Sequence, residues 1–160
     1  MRKIILLLLT AVILSGCNNA SVDENSAAVP QSQRKTMSAG SDGVIEISER
    51  MFIQRCADIF NNPEDYKDKI IRIEGMYTNY LDGDGASYNC VYRNTPGCCG
   101  DDGMAGFEFN YDGEMPAEND WIEVEGTLYV KSTGPVSNEI RIIASKLTIK
   151  EERGEEFVNY

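Results

Sequence analysis

Two adjacent cysteines, Cys98 and Cys99, stand between Gly97 and Gly100 and are followed by Asp101 and Asp102. Thiolates are good ligands for zinc and cuprous copper, and the aspartates add negative charge that attracts a cation. Two neighbouring thiols do not complete a tetrahedral shell. A metal here also needs Cys90, an aspartate, water or a second molecule. The same pair suits another chemistry. Adjacent cysteines bond to each other only in a strained ring, and strained disulfides are easily reduced, as thiol–disulfide exchange requires. A third reading is structural, with one or both thiols buried or bonded elsewhere. The spacing differs from the Cys-x-x-Cys of zinc ribbons, and residue type leaves all three readings open.

The remaining chemistry is sparse. Cys56 falls on the apolar face of an expected helix and reads first as a small buried hydrophobe. Cys90 shares a strand face with Tyr88 and Tyr92. If that face points inward, Cys56 and Cys90 meet in the core as a candidate disulfide; if not, both stay reduced. Asp82-Gly83-Asp84-Gly85 resembles a fragment of a calcium loop but lacks its later ligands, so it reads as a turn. The chain contains no histidine, the commonest general base near neutral pH and the commonest zinc ligand. No phosphate-binding or dinucleotide-binding glycine motif is present, and the carboxylates form no recognisable catalytic pair. A binding module is favoured over an enzyme.

Cys17 has a chemistry of its own. Arg2 and Lys3 precede the apolar run Ile4 to Leu14, and Leu14-Ser15-Gly16-Cys17 resembles a bacterial lipobox. The apolar run fits a signal-peptide core and is short for a bilayer span. Small residues at Ser15 and Gly16 admit the peptidase, and Cys17 offers the thiol for lipidation. The resemblance implies several acyl chains of the palmitate type on that cysteine, and two or more chains hold a protein on a membrane stably. The expected location is the extracytoplasmic side of the cell membrane.

Four segments follow: a leader at 1–16, a lipidated cysteine and flexible stalk at 17–43, a folded domain at 44–150 and an acidic tail at 151–160. The stalk is rich in Asn, Ser, Ala, Gln and Gly and buries too little apolar surface to order itself. The tail Glu151-Glu152-Arg153-Gly154-Glu155-Glu156 reads as a solvated end. Net charge is −11 for the whole chain, and removing Arg2 and Lys3 takes it near −13. Such a surface repels nucleic acid, which is not an expected partner.

Position of the elements follows from periodicity. Val44–Ile47 is a short strand or an extended lead-in, and Ser48 is the expected helix cap. Phe52, Cys56, Ile59 and Phe60 recur at helical spacing and define the core-facing side of one amphipathic helix. Pro63 opens a further turn. Alternating residues then mark five strands: around Ile71 and Ile73, from Tyr88 to Arg93, around Phe107 and Phe109, from Ile122 to Val130, and from Ile140 onward. Gly126 suits a bend at a barrel corner. The expected fold is mainly β, a small five-stranded OB-like barrel preceded by one amphipathic helix. An open α+β sheet or a different sandwich is the alternative.

Three stretches carry a family resemblance: Asp58 to Lys69 with Ile73-Glu74-Gly75; Pro96 to Gly103 with Gly106-Phe107-Glu108; and Asn119-Asp120-Trp121-Ile122-Glu123-Val124-Glu125-Gly126. They resemble a family of Gram-positive surface lipoproteins to which no activity is assigned. They also resemble the OB-like carboxy-terminal domain of a bacterial family described as a membrane-permease subunit. The resemblance spans roughly Ile47 to Ile149, implies the OB-like fold, and is silent on Cys56 and Cys90. The function expected is a membrane-tethered extracytoplasmic module that binds a metal ion such as zinc, a small ligand, or an envelope or permease partner. The alternatives are a thiol–disulfide redox protein using Cys98 and Cys99 and a structural envelope lipoprotein.

Cys17→Ser is expected to abolish acylation and lipoprotein-type processing. Fatty-acid labelling with amino-terminal sequencing checks this, and a variant still labelled and cut after Gly16 overturns it.

Overall fold

A computed structural model describes residues 37–97, 100–134 and 137–160. The leader, Cys17 and the stalk through residue 36 lie outside the described residues. The elements are β1 (Val44–Ile47), a 3-10 turn (Glu49–Met51), helix α1 (Phe52–Asn61), a second 3-10 turn (Pro63–Asp65), β2 (Ile70–Leu81), β3 (Ser87–Gly97), β4 (Gly100–Asn110), β5 (Trp121–Gly134) and β6 (Ser137–Ile149). The protein is mainly β, with one helix before the five long strands.

Among the described residues there are six strands rather than five, because Val44–Ile47 pairs in parallel with Ile70–Ile73 of β2. The reason lies in how β2 is shared. Its partner β5 runs along one edge from Ile70 to Met76, whereas β3 reaches the other edge only from Met76 onward. The first half of that second edge would be left with unpaired backbone groups, and β1 satisfies them. The pairing order is β1-β2-β3-β4-β6-β5, and β5 returns to β2, so the five long strands form a ring. Within it β4 and β6 run parallel, while the other long pairs are antiparallel.

Strand alternation fills the ring. Ile71, Ile73, Tyr77, Val91, Phe107, Phe109, Ile122, Val124, Leu128 and Ile142 form one buried cluster. Helix α1 adds Phe52, Ile53, Cys56 and Ile59. Those positions follow the i, i+1, i+4, i+7 stripe of a helix. Phe60, expected on that stripe, sits at its edge and is 48% exposed, although its ring stacks on Phe107 at 4.9 Å. Ser48 makes no side-chain cap, because a 3-10 turn intervenes between it and α1. Two glycines mark close backbone approaches. A Cβ on Gly126 would lie 2.2 Å from the Ile143 carbonyl oxygen, and one on Gly106 2.0 Å from that of Val91. The β5–β6 register shifts between Glu125 and Gly126, where a bend was expected.

Both boundaries of the folded part move outward. Met37 packs against the core, its N–H donates to Tyr66 Oη, and Gly40 N–H donates to the Val44 carbonyl. At the other end the acidic tail is not a free solvated end. Val158 is 3% exposed, Asn94 N–H donates to the Glu156 carbonyl, and Val158 N–H donates to the Asn94 carbonyl. The physical reason is again an edge. Beyond Tyr92, β3 has run past its pairing with β2, and the tail supplies the partners that its backbone lacks.

Arg93 occupies the same corner, with a side chain 3% exposed. Its guanidinium carbon lies 4.8 Å from the ring centroids of both Phe52 and Trp121. Nε donates to the Glu74 carbonyl at 3.0 Å, Nη1 donates to the Glu155 carbonyl at 3.1 Å, and Glu49 lies 3.7 Å away. Burial lowers the Arg93 pKa, while Glu49 and Glu74 act to raise it.

Val124 is fully buried, whereas Glu125 points outward to Arg72 at 2.8 Å. Val124→Ala is expected to cost about 1–3 kcal/mol, and Glu125→Ala no more than about 1 kcal/mol. Denaturant melts of the two variants check the difference, and equal costs would mean that the strand register is wrong.

Candidate functional site

The hairpin that carries the cysteine pair is defined by its flanks. Gly97 of β3 pairs with Gly100 of β4, and Cys98 and Cys99 lie outside the described residues. Asp101 and Asp102 belong to β4 by their backbone, while their side chains lie outside the described set. Cys90 is not brought to this end of the hairpin. An extended strand from residue 90 to residue 97 covers about 23 Å. Among the described residues no group of three or more Cys, Asp or Glu side chains is arranged to hold a metal ion.

The condition for a Cys56–Cys90 disulfide is not met. Val91, Arg93 and Thr95 form the inward row of β3, so Cys90, Tyr88 and Tyr92 belong to the outer one. Cys56 is buried beneath α1, and both cysteines are free thiols. Burial pushes the Cys56 thiol up to about 12. Cys90 is likewise pushed up to about 12, by burial first and by the Glu108 carboxylate second. The thiolate is the nucleophile, so both shifts disfavour reaction near neutral pH.

The outer face that holds Cys90 carries an ordered row of polar side chains. Backbone pairing sets Thr78 beside Cys90, Cys90 beside Glu108, Glu108 beside Arg141, and Arg141 beside Tyr129. One row of side chains therefore crosses β2, β3, β4, β6 and β5. A neighbouring cross-strand pair, Tyr80 and Tyr88, stacks at 5.4 Å with rings 21° apart. Tyr80 Oη donates to Glu108, which raises the phenol pKa, with burial adding to the effect. Tyr88 Oη donates to Asp82 at 3.1 Å. Asp82 also accepts from the Asp84 and Ala86 N–H groups, so the turn read from the sequence is pinned by one carboxylate.

A cleft of about 210 Å³ opens between β3, β4 and β6, lined by Ser87, Tyr88, Asn89, Glu108, Asn110 and Arg141 among others. Arg141 pairs through Nη2 with Glu139. Its Nε is buried and has no hydrogen-bond partner among the described residues. A buried donor without a partner costs on the order of 1–3 kcal/mol. The sequence offered half of this site. Tyr80, Tyr88, Glu108 and Arg141 have outward strand parity, but the register that aligns them is a long-range property.

A second groove, of about 310 Å³, includes Glu46, Glu49, Arg72, Glu74, Arg93 and Glu123 in its lining. Here the charges satisfy one another. Glu74 and Glu123 face each other across β2 and β5, and Lys150 Nζ lies 3.1 Å and 3.8 Å from them. Burial pushes the Glu74 pKa up, but Lys150 and the Trp121 indole outweigh it and leave the carboxyl below its ordinary value. The arrangement holds strands together and leaves little for a ligand.

Alkylation by iodoacetamide at pH about 8 is expected to leave Cys56 and Cys90 unmodified in the native protein and to label both after denaturation. Peptide mass spectrometry reads the result. Native-state labelling of Cys90 at the rate of a free cysteine would contradict its burial.

Comparison with known proteins gives two matches. Residues 1–18 match the prokaryotic membrane lipoprotein lipid attachment site. This supports membrane anchoring by lipid, and among the described residues no helix is long and apolar enough to cross a membrane. Curated proteins yield no match. Residues 22–158 match the DUF1980 C-terminal domain, a span that takes in both Met37 and the buried Val158. The chain belongs to the family of the DUF1980 C-terminal domain.

Proposed function

We propose that this lipoprotein is an extracytoplasmic binding module, held at the membrane by Cys17 and built on an OB-like barrel. The pairing order β2-β3-β4-β6-β5, returning to β2 with β4 and β6 parallel, supports the OB-like reading. Folds of this kind bind ligands on the outer face of their second and third barrel strands. Those strands correspond here to β3 and β4. The observation that carries the proposal is the cleft on that face, lined by Tyr88, Glu108, Asn110 and Arg141 among others. The cleft is lined mainly by polar side chains, with the rings of Tyr88 and Tyr111 among them.

A permease subunit as docking partner rests on the family resemblance of the sequence. The loop cysteines support a second activity. Zinc held by Cys98 and Cys99 with Asp101 or Asp102, or thiol–disulfide exchange at the pair, follows from residue type and from the bracketing pair Gly97–Gly100. Cys90 pairs with Glu108, several residues along β3 and β4 from the bracketing pair Gly97–Gly100.

The test uses the full lipidated protein in detergent and purified envelope material freed of membranes. Saturable co-sedimentation is expected, with a loss of at least about tenfold in affinity for Tyr88→Ala combined with Asn110→Ala, equivalent to about 1.4 kcal/mol. Sedimentation no greater than that of an unrelated lipoprotein, or unchanged in the double variant, would overturn the reading.

A further inference from the structure

We infer that the amino-terminal half of β4 takes up an extended, lysine- or arginine-bearing segment of another protein as an added strand. This surface is separate from the cleft and does not depend on it. Its starting point is backbone pairing. Residues 103–107 of β4 pair with β3 along one edge. Along the other edge β4 meets β6 only at Glu108, Phe109 and Asn110, so residues 103–107 have no strand partner there among the described residues. The facing stretch of β6, residues 137–140, pairs only with β5. Several other edges are answered within the chain. Beyond Met76, β2 is met by Asn119, Asp120 and the Glu118 carboxylate. On β1 the Val44 carbonyl accepts from the Gly40 N–H and the Glu46 carbonyl from Arg55. On β3 the tail pairs with Asn94. An unanswered edge is a template for another chain, and extended segments bind such edges through main-chain hydrogen bonds.

Alternate side chains of an added strand point to opposite faces, and pockets or anchors on each face give such binding its specificity. Both faces beside this edge carry an apolar anchor. On the inner side, Phe60 in the last turn of α1 stacks on Phe107 yet stays half-exposed. On the outer side, Met104 has the opposite parity to the buried Phe107 and is 69% exposed. A strand laid along the edge would cover both, with one residue turned toward each.

Charge selects the occupant. The strand β4 carries Asp101, Asp102 and Glu108 and no lysine or arginine. On the facing strands Lys131 and Arg141 are accompanied by Glu139, which sits beside Lys131 in register and pairs with Arg141. On α1, Arg55 is committed to the Glu46 carbonyl, and Asp58 accepts from Tyr66. Negative charge is left in excess at the edge, as it is in the whole chain at −11. A second copy pairing its β4 here would bring like charges together across the strands, which is destabilising. A basic segment meets no such repulsion and adds an attraction.

The experiment uses the full lipidated protein in detergent with three fluorescently labelled peptides. They are Lys-Val-Arg-Val-Lys-Val, the same peptide methylated at its central backbone nitrogens, and Glu-Val-Glu-Val-Glu-Val. Anisotropy reads binding, and hydrogen exchange with mass spectrometry reads the amides of residues 103–107. The basic peptide is expected to bind saturably below about 1 mM and to slow exchange at those residues. The methylated and acidic peptides are expected to bind at least about tenfold more weakly. Phe60→Ala combined with Met104→Ala, and Asp101→Asn combined with Asp102→Asn, are each expected to weaken the basic peptide at least about tenfold. Tyr88→Ala combined with Asn110→Ala is expected to bind it as the parent does. Circular dichroism establishes that each variant is folded, and the aspartate pair keeps the test open if loss of Phe60 unfolds the protein. No saturable binding by about 1 mM, equal binding of the methylated and unmethylated peptides, or unchanged exchange at residues 103–107 overturns the proposal. So does dimerisation of the protein alone that slows exchange at those residues, because a second copy would then be the occupant. Sedimentation with envelope material through Tyr88 and Asn110 is read independently, so the edge site and the cleft stand or fall separately.

Discussion

A guanidinium held out of water is the constraint on which this fold turns. Arg93 lies between the rings of Phe52 and Trp121 and donates to the carbonyls of Glu74 and Glu155. One side chain on β3 thereby ties together helix α1, β5, β2 and the carboxy-terminal segment. Each contact answers the cost of burying the charge: cation–π attraction from two faces, hydrogen bonds in the guanidinium plane, and the nearby Glu49 carboxylate. Removing any one of these segments leaves the charge partly uncompensated, so the corner assembles as a unit.

The corner also explains the topology. Between β1 and the far half of β3 the ring lacks a continuous strand edge, since β2 passes from one neighbour to the other at Met76. The tail pairs with Asn94, and Arg93 fills the space behind it. On the opposite side, closure needs only glycines small enough for backbones to touch, at Gly106 and Gly126. On the outer face over β3, β4 and β6 the polar groups pair across strands, Tyr80 with Glu108 and Arg141 with Glu139, and Tyr88 ties β3 to the Asp82 turn.

What the sequence revealed followed the range of the underlying forces. Local alternation identified the inward residues of β5, and helical spacing placed Phe52, Cys56 and Ile59 together, because both depend on near neighbours. The turn at Asp82 was legible for the same reason. Three features were not. Val44–Ile47 read as a short strand or a lead-in, but its parallel pairing with β2 did not show, because it depends on β3 meeting β2 only from Met76 onward. The tail looked solvated because its charge hid Val158. Cys90 was given a place with the loop cysteines or with Cys56, although its parity opposes Val91 and its register sets it beside Glu108. Arg93 did leave a trace: it shares parity with Val91 and Thr95, and a charged residue at an inward position signals a buried partner. Of the outer-face row only the outward parity was legible, since Thr78, Cys90, Glu108, Arg141 and Tyr129 come from five strands aligned only by folding.

The buried Val158 makes this corner a long-range closure. The carbonyl of Glu155 accepts from Arg93 across 62 positions of the chain, and Glu156 and Val158 pair with the backbone of Asn94 at similar separation. Contacts so far apart in sequence form slowly, because the loop between them must be closed before they stabilise anything. The guanidinium of Arg93 therefore gains its full set of partners only in the complete fold, and the corner works as a latch on a core that local contacts have already gathered.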